Sequence, residues 1–372
     1  MADKKKFIAG LLCAIMLLCA GGCKENINEQ NGIQDPISKI ALITDVLELE
    51  EDFHTAAVWQ GIVNCGDANA IEYASYRPEQ ATVDAISAQF DLAVSEGAKV
   101  IVCKGSLFAG ALAKAQEKYP DVKFIGIDIP EASIGQLAEN THCVLFRQEQ
   151  AGYMAGYAVV KDGFTKLGFL GEFETENYSN YGYGFVEGAY KAAAEMNTHI
   201  DVTFGYASDY SSPEEALAGL DQWFASGTEI AMVSANDSFV QSAAELAVKN
   251  FCYLVGTNID QSYLGSNFDY NPFMTSAMKG ITEAVDATLE MVLAGNWSSH
   301  LGGQTIRFGL QNGNYLYLPE DEGLWLFENF TLPEYNELKN NLSVGNIIIS
   351  NSMPKIDEEF ATITVISEQN EE

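Results

Sequence analysis

The chain has 372 residues, and its 52 acidic residues outnumber its 20 Lys and Arg residues, which gives a formal net charge of −32. A surface of this charge repels the phosphates of nucleic acids and anionic lipids, so the composition argues against nucleic-acid binding; it favours a neutral or cationic small ligand, unless the charge only keeps the protein soluble. Hydrophobic residues at 47% and charged residues at 19% are typical of a folded chain, and the length is sufficient for two domains.

The first residues contain the three parts of an export signal. Lys4–Lys6 precede an apolar run from Phe7 to Leu18, and small residues at 20–22 precede Cys23. This order of basic, apolar and small residues is that of a secretory signal, and the cysteine that follows predicts lipidation at Cys23. The apolar run is well short of the ~20 residues of a membrane-spanning helix. We therefore expect residues 1–22 to be removed and the mature chain to be anchored outside the cytoplasmic membrane by its lipidated cysteine.

A polar segment, residues 23–38, predicts a flexible tether. After it, short apolar runs alternate with helical patterns of hydrophobic residues. The predicted strands are 40–44, 70–75, 99–103 and 122–127, and the predicted helices are 56–63, 81–96 and 108–118. Such alternation is typical of βαβ units, in which helices cover both faces of a mainly parallel sheet. Residues 39–147 are therefore predicted to form an α/β lobe.

The same alternation begins again near Gln150. The predicted strands are 166–170, 201–206, 230–234 and 251–256, and the predicted helices are 151–160, 183–196, 213–226 and 239–250. Because the plan occurs twice, we expect two similar lobes rather than one extended sheet. The predicted lobes are residues 39–147 plus about 273–302 and residues 148–272 plus about 303–335, joined by hinged crossovers.

The last part of the chain gives weaker signals. Thr275–Leu293 has the pattern of a long amphipathic helix, and residues 303–318 predict strands joined by a hairpin turn at Asn312–Gly313. Residues 336–372 are an acidic tail, in which Phe360–Val365 is apolar enough to add one more strand to a sheet.

The cysteines and histidines predict no metal or catalytic cluster. Apart from the signal and Cys23, the cysteines are Cys65, Cys103, Cys143 and Cys252. Their apolar surroundings predict small buried side chains rather than a disulfide framework, and they include no CxxC pair. The four histidines are scattered along the chain. We therefore expect no metal or other cofactor.

Polar residues follow several predicted strands in both halves of the chain. In open α/β sheets ligands bind beyond the carboxyl ends of the strands, so these positions predict a site in the cleft between the lobes. The segments concerned are 44–45, 104–106, 128, 171–173, 235–237 and 257–260. The candidate ligand contacts that they supply are Asp45, Gly105, Asp128, Phe173, Asn258 and Asp260, with Asn236 as a weaker candidate. Tyr206, at the end of another predicted strand, is a weaker candidate too.

An aromatic series follows the first strand of the second half. It consists of Phe173, Tyr178, Tyr181 and Tyr183, which is denser than a loop needs. These side chains either form one wall of an aromatic site or pack on the surface at its edge.

Six short segments stand in an order that resembles one protein family. The most specific is 146–156, FRQEQAGYMAG, and the others are 119–128, 168–171, 255–261, 275–279 and 307–310. They resemble the basic membrane lipoprotein family, the substrate-binding components of ABC importers that include purine-nucleoside receptors. The resemblance runs from about Lys39 to Leu318.

The resemblance implies a type I periplasmic-binding fold whose two lobes close over a nucleoside. It places the aromatic residue that stacks on the base at Phe53, a polar contact at Asp45, a base contact at Asp128 and a ribose contact at Lys279. The family's Ser-Phe-Asn is Asp52-Phe53-His54 here, which makes His54 a further candidate contact.

Asn258 stands where the family has an aspartate that holds the ribose. An amide offers one accepting oxygen, whereas a carboxylate accepts from both hydroxyls of a ribose diol. The change is expected to cost roughly tenfold in nucleoside affinity, or else to indicate another ligand.

The predicted function is therefore that of an ABC importer's substrate-binding lipoprotein, with a purine nucleoside as ligand and a membrane permease as partner. The alternatives are an extracytoplasmic sensor and a binding protein for another small ligand such as a sugar. A nucleoside-processing enzyme is less favoured, because no nucleophile, base and orienting group stand in a recognisable arrangement.

Overall fold

The computed structural model of the protein describes residues 37–49, 52–321 and 323–366. The predicted export signal, the lipidation site at Cys23 and most of the predicted tether lie outside the described residues. Among the described helices, none combines the length and the apolar composition needed to cross a bilayer.

The described residues form two β-sheets, each flanked by helices. In chain order the strands are β1 (Lys39–Ile43), β2 (Glu72–Tyr76), β3 (Val100–Lys104), β4 (Lys123–Ile127), β5 (Thr141–Phe146), β6 (Lys166–Gly171), β7 (Ile200–Tyr206), β8 (Ile230–Ser234), β9 (Tyr253–Asn258), β10 (Phe273–Lys279), β11 (Gln304–Phe308), β12 (Leu316–Tyr317) and β13 (Ala361–Val365). The α-helices are α1 (Phe53–Asn69), α2 (Val83–Ser95), α3 (Ala109–Lys118), α4 (Glu131–Ile134), α5 (Gln148–Asp162), α6 (Glu176–Met196), α7 (Pro213–Ala225), α8 (Asp237–Asn250), α9 (Ile281–Leu293) and α10 (Leu332–Ser343).

The strand order defines the two lobes. The first sheet has the order β11-β5-β4-β3-β1-β2, and the second has the order β12-β10-β9-β8-β6-β7-β13. Every pair of neighbouring strands is parallel except β10 and the short β12. The predicted α/β fold with two mainly parallel sheets is confirmed.

Both faces of the first sheet are covered by helices, so successive side chains of a strand are buried on opposite faces. In β1, Ile40 and Leu42 belong to the same buried cluster as Val58 of α1, while Ile43 belongs to the cluster that contains Phe90 of α2. Because successive side chains of a strand point to opposite faces, a strand covered on both sides must be apolar throughout. This explains why the strands appear in the sequence as short continuous apolar runs.

The predicted burial of the four cysteines is also confirmed. Cys65, Cys103, Cys143 and Cys252 are all buried free thiols. Burial raises the pKa of Cys65 to about 11 and that of Cys143 to about 12, so these thiols are unreactive at neutral pH.

The strand pairing corrects the predicted lobe boundaries at residue 273. Phe273–Lys279 is not part of a long helix but forms β10, which pairs with β9 in the second sheet. The helix α9 begins only at Ile281. Nearly all of β10 is buried, and a strand buried on both faces gives an apolar run that sequence alone cannot distinguish from a helix. The crossover to the first lobe therefore lies at Gly280 rather than near residue 272.

The predicted hairpin around Asn312–Gly313 is wrong for a related reason. Gln304–Phe308 pairs with β5 in the first sheet, whereas Leu316–Tyr317 pairs with β10 in the second. The turn signal is local, but the partners of both strands are distant in sequence. The segment is thus a third crossover between the lobes, after those at Arg147 and Gly280.

The acidic tail contributes to the second lobe. Its predicted strand is confirmed, since Ala361–Val365 pairs in parallel with β7. The tail also contains most of α10, which packs against α5.

Helices α5 and α6 of the second lobe touch through their backbones. A Cβ atom on Gly156 of α5 would lie 2.0 Å from the carbonyl oxygen of Phe185, and one on Gly184 of α6 would lie 2.0 Å from that of Glu149. Gly152 and Gly188 make equivalent close approaches, so each helix carries two glycines four residues apart at the contact. The absence of side chains at these positions allows the two helices to pack in direct contact.

We expect Gly156→Ala to destabilise the second lobe. The added methyl group has no free space, and overpacking of this kind costs about 1–3 kcal/mol. The measurement is the midpoint and free energy of urea unfolding of the mature chain.

Gly110→Ala is the matched control, because Gly110 lies on an exposed face of α3 and the nearest atom to an added Cβ is a side-chain carbon of Val83 at 3.3 Å. The exposed side chain of Val83 has room to shift slightly, and removal of a helical glycine is itself worth roughly 0.5–1 kcal/mol, so Gly110→Ala should not share the loss of stability expected for Gly156→Ala. If Gly156→Ala unfolds at the same urea concentration as the wild type or at a higher one, the α5–α6 contact is not as close as described.

Candidate functional site

A cleft of about 380 Å³ lies between the lobes, at the carboxyl ends of strands from both sheets. The first lobe contributes residues at the end of β3 and after β3 and β4, and the second lobe contributes residues after β6 and the last residues of β9 and β10. The lining residues are Lys104, Gly105, Ser106, Leu107, Asp128, Phe173, Thr175, Asn177, Tyr178, Asn258 and Lys279.

A buried ion pair between the lobes forms part of the lining. Lys279 Nζ, at the end of β10, lies 3.0 Å from Oδ1 and 3.1 Å from Oδ2 of Asp128, which follows β4. Lys279 is 4% exposed and Asp128 is 7% exposed. Burial lowers the pKa of Lys279, and the charge and hydrogen bond of Asp128 oppose that effect. The pair therefore joins the two lobes through charges that have largely lost contact with water.

Aromatic rings surround the lysine of this pair. Lys279 Nζ lies 5.3 Å from the ring centroid of Phe146 and 5.6 Å from that of Tyr181. At these distances a cation is attracted to the electron-rich face of a ring. The ammonium group is thus held by both a carboxylate and two rings.

Two non-glycine residues of the lining have left-handed backbones. Asp128 has a φ of 53°, and Asn258 has a φ of 68°. This region is disfavoured for residues with a side chain, although Asp and Asn tolerate it best, and such residues cluster at ligand sites. Asp128 directly follows β4 and Asn258 is the last residue of β9, and at both positions the backbone conformation fixes the direction of the side chain.

Asn258 is held in place by Tyr181 of α6. The Tyr181 hydroxyl donates to Asn258 Oδ1 at 3.3 Å, and the Asn258 backbone N–H approaches the same hydroxyl oxygen at 3.3 Å. Tyr181 is fully buried. The members of the aromatic series therefore differ in position. Tyr181 lies behind the cleft and holds Asn258, whereas Phe173 and Tyr178 line the cleft.

Phe173 and Tyr178 form an aromatic wall on the second lobe. Their ring centroids are 6.0 Å apart in an edge-to-face arrangement, and Phe173 is 49% exposed. Leu107 faces the same cleft from the first lobe and is 42% exposed. Apolar side chains exposed on both sides of a cleft are suited to hold a flat, partly apolar ligand.

Phe53 and His54 lie in a second contact between the lobes. The ring of Phe53 packs on Tyr263 with centroids 4.5 Å apart, and His54 Nε2 lies 3.3 Å from Asp237 Oδ1 at the start of α8. Neither residue is among those that line the cleft. They were expected as ligand contacts, but here they join α1 of the first lobe to the second lobe.

Asp237 is the acceptor at the centre of this contact. It accepts hydrogen bonds from the Tyr263 hydroxyl at 2.6 Å and from Gln261 Nε2 at 3.0 Å, in addition to its contact with His54. Burial by itself would raise the pKa of Asp237, but the contact with His54 and the two hydrogen bonds hold it down to about 2.

The remaining candidates fall into two groups. Gly105 and Asn258 line the cleft together with Asp128, Phe173 and Lys279. Asp45, Tyr206, Asn236 and Asp260 lie outside the lining. Asp45 accepts a hydrogen bond from the backbone N–H of Leu47, and the buried Tyr206 donates one to Ser179. Asn236 caps α8 and donates a hydrogen bond to Glu172, while Asp260 caps the turn 261–265.

Sequence reasoning did not single out several lining residues. Lys104 and Ser106 stand in a strand-end segment and Tyr178 in the aromatic series, but none of the three was named as a contact. Leu107, Thr175 and Asn177 follow strands by three to six residues and carry no local signal that distinguishes them from ordinary loop residues.

Comparisons with known proteins give a family and a fold. A family model described as Bmp, ABC transporter substrate-binding protein PnrA-like, matches residues 39–341. Basic membrane protein A1 of Borrelia garinii is 25% identical over 81% of this chain and 83% of its own length. The ABC transporter nucleoside-binding protein BmpA of Lactococcus lactis is 22% identical over 83% of this chain and 90% of its own length.

Solved structures have a similar fold at low sequence identity. An ABC transporter solute-binding protein from Aeropyrum pernix K1 has a TM-score of 0.64 at 16% identity, covering 85% of this chain and 94% of its own. An ABC transporter solute-binding protein from Conexibacter woesei has a TM-score of 0.63 at 15% identity, covering 84% of this chain and 98% of its own. At these identities the likeness shows the fold alone.

The Asp237 contact predicts a pH dependence of stability. Its pKa in the folded state, about 2, is below its ordinary value of 3.8, so its contribution is fully present above pH 3.8 and is lost as the pH falls toward 2. The size of the contribution is roughly 2 kcal/mol. We expect Asp237→Asn to lower the unfolding free energy by about this amount at pH 7, measured by urea unfolding.

The difference between wild type and variant should shrink as the pH falls from 4 to 2. Asp84→Asn is the control, since Asp84 is an exposed carboxylate whose contact is with an exposed lysine, and it should unfold as the wild type does. A pH-independent difference for the Asp237 variant would show that this carboxylate is not stabilised in its charged form.

Proposed function

The chain belongs to the PnrA-like family of ABC transporter substrate-binding proteins, and we propose that it captures a purine nucleoside in the cleft and delivers it unchanged to an ABC permease. Members of this family bind solutes for transporters and are not enzymes. The relative in Lactococcus lactis is named as a nucleoside-binding protein, which supports this class of ligand.

The observation that carries the proposal is the pairing of an aromatic wall with a polar group of residues in one cleft. Phe173 and Tyr178 provide the wall, while Asp128, Asn258 and Lys279 provide donors and acceptors. A base that stacks on an aromatic side chain gains about 1–3 kcal/mol. The ribose hydroxyls both donate and accept, and therefore match a lysine, a carboxylate and an amide.

The size and position of the cleft support the same ligand class. Its volume of about 380 Å³ lies at the small end of the range for ligand sites, about 300–1,000 Å³. Residues from both lobes line it, so a bound ligand contacts both and favours closure about the three crossovers.

In the proposed complex Phe173 and Tyr178 take the stacking role that the sequence assigned to Phe53. Phe53 already packs on Tyr263 outside the lining, and its contribution is to join the lobes. Asp128 and Lys279 keep their predicted roles as contacts, but they approach the ligand as a pair.

The proposal includes delivery at the membrane. An export signal and a lipidated Cys23, both expected from the sequence, would hold the protein on the outer face of the cytoplasmic membrane beside its permease. The polar residues 23–38 would give the two lobes the reach to meet that partner.

Purine nucleosides should raise the melting temperature of the mature chain, because a ligand that binds only the folded state stabilises it. Sugars and amino acids serve as the comparison classes in the same thermal-shift measurement. A shift with one of these classes and none with nucleosides would assign another ligand to the cleft.

The aromatic wall is tested by Phe173→Ala, with Phe53→Ala as the matched comparison. The two rings are about equally exposed, at 49% and 47%. Loss of base stacking should weaken nucleoside binding by about tenfold or more for Phe173→Ala, measured by isothermal titration, with a smaller effect for Phe53→Ala. The reverse order would return the stacking role to Phe53.

A further inference from the structure

The charges that line the cleft do not balance. Three lining residues are charged, namely Lys104, Asp128 and Lys279. Both oxygens of Asp128 lie within 3.1 Å of Lys279 Nζ, so these two neutralise each other. Lys104 remains as a positive charge on the first lobe's side of the cleft.

Lys104 forms no salt bridge among the described residues, and the carboxylate that acts on it electrostatically is Asp45. The one carboxylate in the lining, Asp128, is already paired with Lys279. Asp45 is close enough for Lys104 to act on its pKa, but an oxygen of Asp45 instead accepts the Leu47 backbone N–H at 2.8 Å. The neighbouring cation is Lys279, which Lys104 repels.

The lining also contains neutral side chains that can donate hydrogen bonds. Ser106 shares its loop, and Thr175 and Asn177 line the cleft from the second lobe. Hydroxyl, amide and ammonium groups in one cleft suit an anionic group with several acceptor oxygens, because charge-assisted hydrogen bonds are about twice as strong as neutral ones. An uncharged ligand would leave the ammonium group with only solvent and the electrostatic attraction of Asp45.

We infer that Lys104 is a specificity-determining residue that recognises an anionic group, so that the preferred ligand is a nucleoside carrying a phosphate. This inference rests on the proposed function, since it takes the nucleoside as the body of the ligand. It also opposes the expectation from net charge, because the local charge in the cleft has the opposite sign to that of the whole chain.

The test compares a purine nucleoside with its 5′-monophosphate by isothermal titration of the mature chain. The wild type should bind the monophosphate about tenfold more tightly, the equivalent of one charge-assisted hydrogen bond. In Lys104→Met the ratio of the two dissociation constants should fall to about one, whereas Lys104→Arg should retain the preference.

Lys114→Met is the control, because Lys114 is an exposed lysine of α3 paired with Asp84 outside the cleft. It should leave the ratio as in the wild type. Thermal unfolding of each variant without ligand verifies that it is folded.

Two kinds of result would overturn the inference, and only the second would also contradict the proposed function. If the wild type binds the nucleoside at least as tightly as the monophosphate, or if Lys104→Met keeps the preference, only the role of Lys104 is wrong. If neither compound binds while another class of small molecule does, the proposed function fails together with the inference.

Discussion

The buried pair of Lys279 and Asp128 is the contact on which the site depends. One partner ends a strand of the second sheet and the other follows a strand of the first, so the pair exists only when both lobes are folded and close together. Removing one partner of such a pair leaves a buried charge without compensation, which is strongly destabilising. Asp128 and Lys279 also line the cleft. A ligand that contacts this pair must therefore leave the ion pair intact, or must itself replace the contacts that the two side chains lose when they separate. The structure thus links ligand binding to the relation between the lobes.

The rest of the fold positions the groups around this pair. The glycine contact between α5 and α6 fixes α6, whose first turns carry Tyr178 into the lining and Tyr181 beneath Asn258. Helix α5 follows directly on the first crossover, so the close backbone contact of α5 and α6 links Tyr178 of the aromatic wall to that hinge. Arg307 of β11 in the first sheet also pairs with Glu176 at the start of α6. A displacement of α6 would therefore alter the wall, Asn258 and a contact between the lobes together.

The sequence predicted the α/β class and the two mainly parallel sheets, and it predicted some of the residues that line the cleft. The alternation of apolar runs and helices is a local pattern. The rule that ligands bind beyond strand ends selected Gly105, Asp128, Phe173 and Asn258, which line one cleft in the structure. The pairing of β10 was not predictable, because a strand buried on both faces resembles a helix in its pattern. Nor was the position of Phe53: its partner Tyr263 is 210 residues away, and an exposed aromatic residue in a loop suggests a ligand and a second lobe equally well. The sequence also does not show which charged side chains, distant along the chain, pair with each other in the structure. The pairing of Asp128 with Lys279 determines the net charge of the cleft.

The direct test is a double-mutant cycle on the pair. Asp128→Asn, Lys279→Met and the double variant would be compared with the wild type by urea unfolding at pH 7. If the two groups form a buried bridge between the lobes, each single change should cost about 3–5 kcal/mol, and the double variant should cost less than the sum by at least about 1 kcal/mol. Costs that add to within about 0.5 kcal/mol would mean that the two residues act independently, which would contradict the account of a site built on their contact.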